Sequence, residues 1–348
     1  MASSMASTSR NARHSLISEL ESDLETNIVV LITGDRRGLE TRIAGDAFLP
    51  MFAKLSEIGA QDSISLFLYS TGGHTLSAFG LVNLIREFCH SLRVIVPFRA
   101  LSAATLISLG ADSIIMSKLG QLSPIDPSVE SALGPQVQLP QQPGVAQLVP
   151  VNVEDAISFI DLAKKEAGMK EGDESLARVF DRLSSAVHPL ALGAVNRARE
   201  QIRFLARQLL SYHMTDGKKI DQIVSAITRE RFSHDYLIGR REAKEVLGLG
   251  LEDVAPTVDE RVIRLFNMYE QLLALSVPYN QELALGTNQT ATATFDRAII
   301  EAAQGPSYVY RTVREIKRVQ IPQANVSMPS VGYQETNLKE GWMADTTV

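Results

Sequence analysis

"VIVPFRALSAATLISLGADSIIMSK", residues 94–118, holds in one stretch the unit from which much of the chain is built. The apolar run from Arg93 to Phe98 has the unbroken, β-branched character of a strand buried on both faces. Arg99 ends it, Ser102 follows at a sharp turn, and Ala103, Ala104 and Thr105 open a helix that runs to Gly110. Ser113 to Lys118 (SIIMSK) is extended and apolar again. Parallel neighbours in a sheet need a crossover, usually a helix, so strand, turn, helix and strand in that order point to a parallel sheet. A hydroxyl at the turn has two uses. As a helix cap it accepts a bond from the first unpaired N–H groups. As a nucleophile it sits beside N–H groups able to hold a developing oxyanion.

The same unit recurs outward from this stretch. Asn27 to Thr33 (NIVVLIT) and Ser63 to Ser70 (SISLFLYS) read as two further buried strands. Between them Asp46 opens a helical pattern carried by Phe48, Met51, Phe52 and Leu55 and stopped by Gly59. Gly72-Gly73 breaks the second strand, and a helix follows with Leu76, Phe79, Leu81, Val82 and Ile85. Cys89 falls in the continuation of that helical pattern and reads as a small core residue. The expected fold is α/β, with a mostly parallel sheet flanked by helices on both faces. In such sheets function collects at the C-terminal ends of strands. Gly72-Gly73 and Ser102 lie at such ends, and so does LGQLSPIDPS, where Pro124 and Pro127 flank Asp126 in a stiff turn.

Residues 133–150 are rich in Pro and Gln, carry no charge, and read as a loop. Helical patterns resume over Val153 to Lys165 and Glu174 to Leu183. His188-Pro189 starts a long helix to about His213, with Leu192, Val195, Ile202, Leu205 and Leu209 on one face. Ile220 to Ile227, Arg240 to Leu247 and Arg261 to Leu275 are further helices, and FSHDYLIG is a short extended piece. Beyond Pro278, Thr290 to Phe295 and Tyr308 to Val319 alternate like strands, and 320–348 looks irregular. The expected organisation is a flexible N-terminal segment over 1–26, one domain over 27–275, and a C-terminal extension over 276–348.

Composition narrows the function classes. The chain has 348 residues, 45% apolar and 21% charged, enough for a packed core. The net charge of −6 argues against a nucleic-acid partner, which wants clustered Lys and Arg. The single cysteine excludes an internal disulfide and any multi-cysteine metal site. The first residues are small and polar and lack the apolar stretch of a signal peptide. No apolar run reaches the length of about 18 residues that a membrane span needs. These features predict a cytoplasmic protein with no transmembrane segment and no cofactor.

A nucleophilic serine needs a base, and the base needs an orienting group. His14, His74, His90, His188, His213 and His234 are available, and spacing alone does not choose among them. His234 lies outside any helix and next to Asp235. Gly72-Gly73 either turns strand into helix or lets the backbone approach a ligand closely.

The stretches TNIVVLITGDRRGLET, LFLYSTGGHTLSAFGLVNLIREFC, VIVPFRALSAATLISLGADSIIMSK, LSPIDPS, VHPLALGAVNRAREQIRFLARQLL and FSHDYLIGRREAKEVLGL resemble the Clp-protease/crotonase superfamily. Within it they are similar to the serine dehydrogenase proteinase family. The resemblance spans residues 27–255 and implies a serine peptidase that forms an acyl-enzyme. That family carries its triad in the chain order Ser, Asp, His, unlike the Ser, His, Asp order of the Clp subunit. Residue by residue, Ser102 matches the nucleophile, Asp126 the orienting acid and His234 the base, with His188 in VHPLALG as the alternative base. Gly73 and Ala103 match the positions whose N–H groups form the oxyanion hole, and Gly72 supports that turn. The resemblance also implies a homo-oligomer acting on peptide or protein substrates. The chain departs from the family in having Ala104 and Ser123 where Gly is usual; Ala104 is expected to narrow the cleft by a methyl, and Ser123 to restrict the turn holding Asp126. Three other functions stay open: a non-catalytic binding or assembly homologue, a serine–lysine dyad using Lys164, Lys165 or Lys170, and a crotonase-type acyl-CoA enzyme that uses the two N–H donors without a serine.

Overall fold

In chain order the elements begin with α1 (Ala2–Leu24), β1 (Asn27–Thr33), a 3-10 turn (Gly45–Ala47) running into α2 (Phe48–Ile58), β2 (Gln61–Tyr69) and α3 (Thr75–Arg86). They continue with β3 (Cys89–Val96), β4 (Arg99–Ala100), α4 (Ala103–Leu109), β5 (Ser113–Met116) and β6 (Gln121–Leu122). Next come β7 (Ser128–Val129), β8 (Gln136–Gln138), β9 (Ala146–Leu148), β10 (Val151–Asn152), α5 (Val153–Lys165), α6 (Glu174–Ala186), α7 (Pro189–Leu210) and α8 (Gly217–Thr228). The chain closes with β11 (Ile238–Gly239), α9 (Arg240–Glu245), α10 (Pro256–Leu273), α11 (Gln281–Leu285), β12 (Thr290–Ala302), β13 (Ser307–Ile321) and β14 (Ser330–Asp345). This computed structural model describes residues 2–125, 128–129, 136–138, 146–148, 151–170, 172, 174–228, 236–321 and 330–348. Two compact units result, one of residues 1–122 with 238–348 and one of residues 123–237.

The first unit is built on a seven-stranded sheet in the order β14-β13-β12-β1-β2-β3-β5. NIVVLIT and SIIMSK lie in this one sheet, as β1 and β5. The strands β1, β2, β3 and β5 run parallel. The other side is antiparallel: β12 pairs against β1, β13 against β12 and β14 against β13. The expectation of a mostly parallel sheet is therefore corrected to a mixed one. Between β12 and β13 the reason is connectivity, since the link from Ala302 to Ser307 is too short for the crossover that parallel neighbours need.

Burial on both faces explains the unbroken apolar runs of β1 from Ile28 to Ile32 and of β2 from Leu66 to Tyr69. From Ile28 to Thr33 and from Ile64 to Tyr69 every residue is buried. Ile28, Val30, Ile32, Phe67, Tyr69, Ile95 and Ile115 form one face, packed with Leu16, Ile17 and Leu20 of α1 and Val262, Leu265, Phe266 and Tyr269 of α10. The alternate residues point to the opposite face, where α2 packs on β1 and α3 on β3 and α4. Among the described residues no helix is long and apolar enough to cross a membrane.

Four sequence expectations differ from this structure. The N-terminal segment expected to be flexible is helical from Ala2 to Leu24. Its buried Leu16, Ile17 and Leu20 give it a reason to be ordered. Cys89 starts β3 rather than sitting in a helix, because the preceding helix ends at Arg86 with Glu87 as its C-cap. The boundary expected near 276 falls inside the first unit. Residues 330–345, expected to be irregular, form a strand of 16 residues.

A buried ion cluster ties the antiparallel side to the helices. Glu301 on β12 is fully buried, and Arg13 of α1, also fully buried, donates to it through Nε at 2.8 Å and Nη2 at 3.0 Å. Tyr269 of α10 and Ser307 of β13 donate to the same carboxylate, Ser307 at 2.7 Å. Burial alone would raise the Glu301 pKa, but the nearby His14, the bonds from Arg13 and Tyr269 and the Arg13 charge outweigh it and bring the group down to about 2.

The second unit is mostly helical. α7 buries Ala191, Val195, Ile202, Leu205 and Leu209 and packs against α5 and α8. β7 pairs with β10 and β8 with β9, both antiparallel. α6 is amphipathic, yet none of its residues is buried, and Phe180 on it is exposed.

Candidate functional site

Three loops leave the C-terminal ends of β1, β2 and β4, and hydrogen bonds between those ends fix how they meet. Asp35, two residues past β1, accepts from Tyr69 Oη of β2 at 2.8 Å and from Arg99 Nη1 of β4 at 3.0 Å. Burial, then the adjacent Asp35 carboxylate, pushes the Tyr69 phenol well above its ordinary pKa, so it stays protonated as the donor. Ser70 bridges to β4 through its backbone: its N–H donates to Arg99 O and its carbonyl accepts from Leu101 N, both at 2.9 Å.

Ser102 occupies the N-cap position of α4 but is not a cap. A capping residue has extended backbone and a side chain that accepts from the helix. Ser102 has φ 52° and ψ −114°, and its side chain makes no capping bond. These dihedrals are those of the first central residue of a type II′ turn, a place dominated by glycine. The turn is closed by Ala104 N–H donating to Leu101 O at 2.9 Å. Only Glu25 and Ala274 share a positive φ with Ser102 among the described non-glycine residues. Holding a serine there costs on the order of 1–3 kcal/mol, a strain that elsewhere concentrates at reacting groups. A strained serine between strand and helix is also the arrangement of a nucleophile elbow, which lifts Oγ clear of the strand.

The glycine loop lies directly against this serine. Gly72 has φ 116°; a Cβ on it would stand 2.8 Å from Ser102 Cβ and 3.3 Å from Ser102 Oγ. Gly73 has φ 150°, and a Cβ there would stand 2.1 Å from Ile43 O. Both positions therefore need glycine, for left-handed backbone and for close approach. Ile43 clamps the loop: its N–H donates to Gly72 O at 2.9 Å and its carbonyl accepts from His74 N–H at 2.8 Å. Those bonds use the groups on either side of Gly73. Among the described residues no backbone acceptor is recorded for Gly73 N–H or Ala103 N–H.

A small second sheet of the first unit collects other parts of the chain that matter. Its order is β11-β6-β4. Ala100 of β4 pairs with Leu122 of β6, and Leu122 pairs with Ile238 of β11. This brings side by side the residue two before Ser102, the residue four before Asp126 and the residue four after His234. In the second unit Ile125, next to Asp126, donates its N–H to Ile227 O at 2.9 Å. Asp126, His234 and Asp235 themselves lie outside the described residues.

The remaining candidates are placed as follows. His188 is the N-cap of α7, with Pro189 in the first turn; it is exposed and its Nδ1 accepts from Leu190 N–H at 3.2 Å. The histidine thus fills the helix-start role that its sequence suggested. Lys165 and Lys170 are exposed, and Lys165 lies 3.8 Å from Asp161. Ala104 is fully buried, so its methyl is out of reach of solvent. Ser123 is buried and donates to Pro124 O at 3.0 Å. Sequence reasoning missed Thr33, Asp35, Ser70 and Arg99. The available signal was a polar residue at the end of each otherwise apolar strand.

Comparison with known proteins agrees with the resemblance read from the sequence. Residues 55–167 match the family described as ClpP-like SDH-type serine proteinase. This segment includes Gly72, Gly73, Ser102, Ala103 and Asp126. Two uncharacterized proteins of Methanocaldococcus jannaschii are similar to the chain. One is 30% identical over 208 residues, 60% of this chain and 59% of the relative. The other is 26% identical over 226 residues, 63% of each. The chain thus spans about three fifths of the length of these curated relatives.

Proposed function

We propose that the protein is a serine peptidase that cuts peptide bonds through an acyl-enzyme on Ser102. The observation that carries this is the backbone of Ser102, strained at φ 52° with no capping bond to justify it. In this mechanism Ser102 Oγ attacks the peptide carbonyl carbon while His234 takes its proton. Asp126 orients the imidazole and stabilises its charged form. The carbonyl oxygen becomes an oxyanion held by the N–H groups of Gly73 and Ala103. The tetrahedral intermediate then collapses, His234 returns the proton to the leaving amine, and water hydrolyses the ester by the reverse sequence.

Several features support these roles. The two N–H groups assigned to the oxyanion lack recorded backbone acceptors among the described residues. The β11-β6-β4 sheet draws together the chain on the near side of Ser102 and Asp126 and the far side of His234. His234 is preferred to His188 because the His188 ring is exposed and already engaged as a helix cap. The triad is preferred to a serine–lysine dyad because Lys165 and Lys170 are exposed and Lys165 lies 3.8 Å from Asp161.

The test is hydrolysis of an unfolded protein substrate by the wild type beside Ser102→Ala, His234→Ala and Asp126→Asn, each with a melting curve. Ser102→Ala and His234→Ala should each lower turnover by roughly a thousandfold or more, and the double variant should be scarcely worse than either. Wild-type turnover in a folded Ser102→Ala variant would end the proposal.

A further inference from the structure

Ser70 is fully buried, and every polar atom it has is used at the junction of the glycine loop and the Ser102 turn. Its hydroxyl accepts from Thr33 Oγ1 at 2.6 Å and from Gly72 N–H at 3.0 Å, and donates its one proton to Gly72 O at 3.2 Å. One donor and two acceptors is the full capacity of a hydroxyl. Its backbone holds the other side, through Arg99 O and Leu101 N–H at 2.9 Å each. One residue therefore spans from the peptide group of Gly72 to the strand that delivers Ser102.

We infer that Ser70 is a positioning residue, which sets the register between the glycine loop and Ser102 and so the aim of the Gly73 N–H at the reacting carbonyl. The inference rests on the proposed role of Ser102. Close contact makes that register demanding, since Gly72 packs against Ser102 with no room for a Cβ. Without the Ser70 hydroxyl, Gly72 keeps only the Ile43 clamp on its carbonyl, and its N–H loses its acceptor. Thr33 works one bond further out, by fixing which way the Ser70 proton points. A donor displaced by a fraction of an ångström loses most of its value in the transition state while substrate binding is little changed.

The test uses the full chain and an alkyl fluorophosphonate, which reacts by displacement of fluoride at Ser102 Oγ and places its phosphoryl oxygen in the oxyanion hole. Ser70→Ala should lower the limiting rate of labelling by roughly tenfold or more and change the half-saturating probe concentration by less than about twofold. Thr33→Val, which leaves Ser70 in place and keeps the side-chain shape, should lower the rate by about threefold. Amide exchange at His74, whose N–H bonds to Ile43 O, should quicken in Ser70→Ala by about tenfold or more, with β1 and β2 unchanged. A purely structural Ser70 would lower the melting temperature and leave the labelling rate of the folded protein as in the wild type, and that result would overturn the inference. If the wild type does not label at Ser102, the proposed function fails by itself. Exchange at His74 then still decides the place of Ser70: a rate unchanged from wild type rejects it, and a faster rate confined to the loop upholds it.

Discussion

The two sides of the large sheet are held together by different physics. The parallel side, β1, β2, β3 and β5, is mostly apolar and covered on both faces, with Ser65 and Arg93 as polar exceptions within its strands and the residues of the proposed chemistry at and beyond the strand ends. The antiparallel side, β12, β13 and β14, carries charge along its length. Arg311 pairs with Asp296 and Asp345, Arg314 with Glu335, and Arg297 with Glu340. One side is fixed by burial and is free to spend polar groups where chemistry is proposed. The other uses its polar groups to choose partners and register between strands. The strained Ser102 turn follows β4 of the small sheet, which Ser70 at the end of β2 ties to the first side, and packed neighbours there can sustain a few kcal/mol of unfavourable backbone.

The comparison can be broken by substitution. The largest expected effect is on chemistry at the parallel side, the loss of roughly a thousandfold or more in hydrolysis for Ser102→Ala. Its melting temperature should hardly move, because alanine at a positive φ keeps the strain.

On the antiparallel side the largest effect should come from Glu301→Gln. It leaves the buried Arg13 guanidinium without its counter-charge, at a cost of about 3–5 kcal/mol. The same group sets an acid limit. The Glu301 pKa is about 2 in the fold against an ordinary 4.5. A depressed carboxylate pKa contributes stability that is present above the ordinary value and is lost as pH falls through 4.5 toward 2. The melting temperature of the wild type should fall across that window, and Glu301→Gln should remove part of the slope. A slope unchanged in the variant would place the acid sensitivity elsewhere.

Ser102→Gly sharpens the contrast. Glycine takes the turn without strain, so this inactive variant should be more stable than Ser102→Ala by about 1 kcal/mol, measured by denaturant unfolding. Equal stability of the two would mean that the turn stores no strain. Smallest is Arg311→Gln. Its ion pairs with Asp296 and Asp345 are partly exposed, and their loss should cost about 1 kcal/mol or less, shrinking further in high salt.

The same division decides what the sequence reveals. NIVVLIT is legible as a strand because burial on both faces leaves an unbroken apolar run, and the strand-end positions of Gly72-Gly73 and Ser102 follow from it. β14 is not legible: SVGYQETNLKEGWMAD owes its pairing to β13 and to charges far away in sequence. α1 is hidden for a related reason, since its buried Leu16, Ile17 and Leu20 join a cluster that strands and α10, mostly far along the chain, complete. At the site, the sequence marks the residues with chemistry to do, but not Ser70 or Thr33. Their value is geometric, and it exists only once two strand ends are brought within hydrogen-bond reach.

The central claim is that the strain at Ser102 serves a nucleophile. Incubation of the intact protein with a fluorophosphonate probe, followed by mass-spectrometric mapping of the modified peptide, tests it most directly. The account predicts a single adduct on Ser102, lost in Ser102→Ala and in His234→Ala. An adduct on another residue, or none on a folded protein, would contradict it.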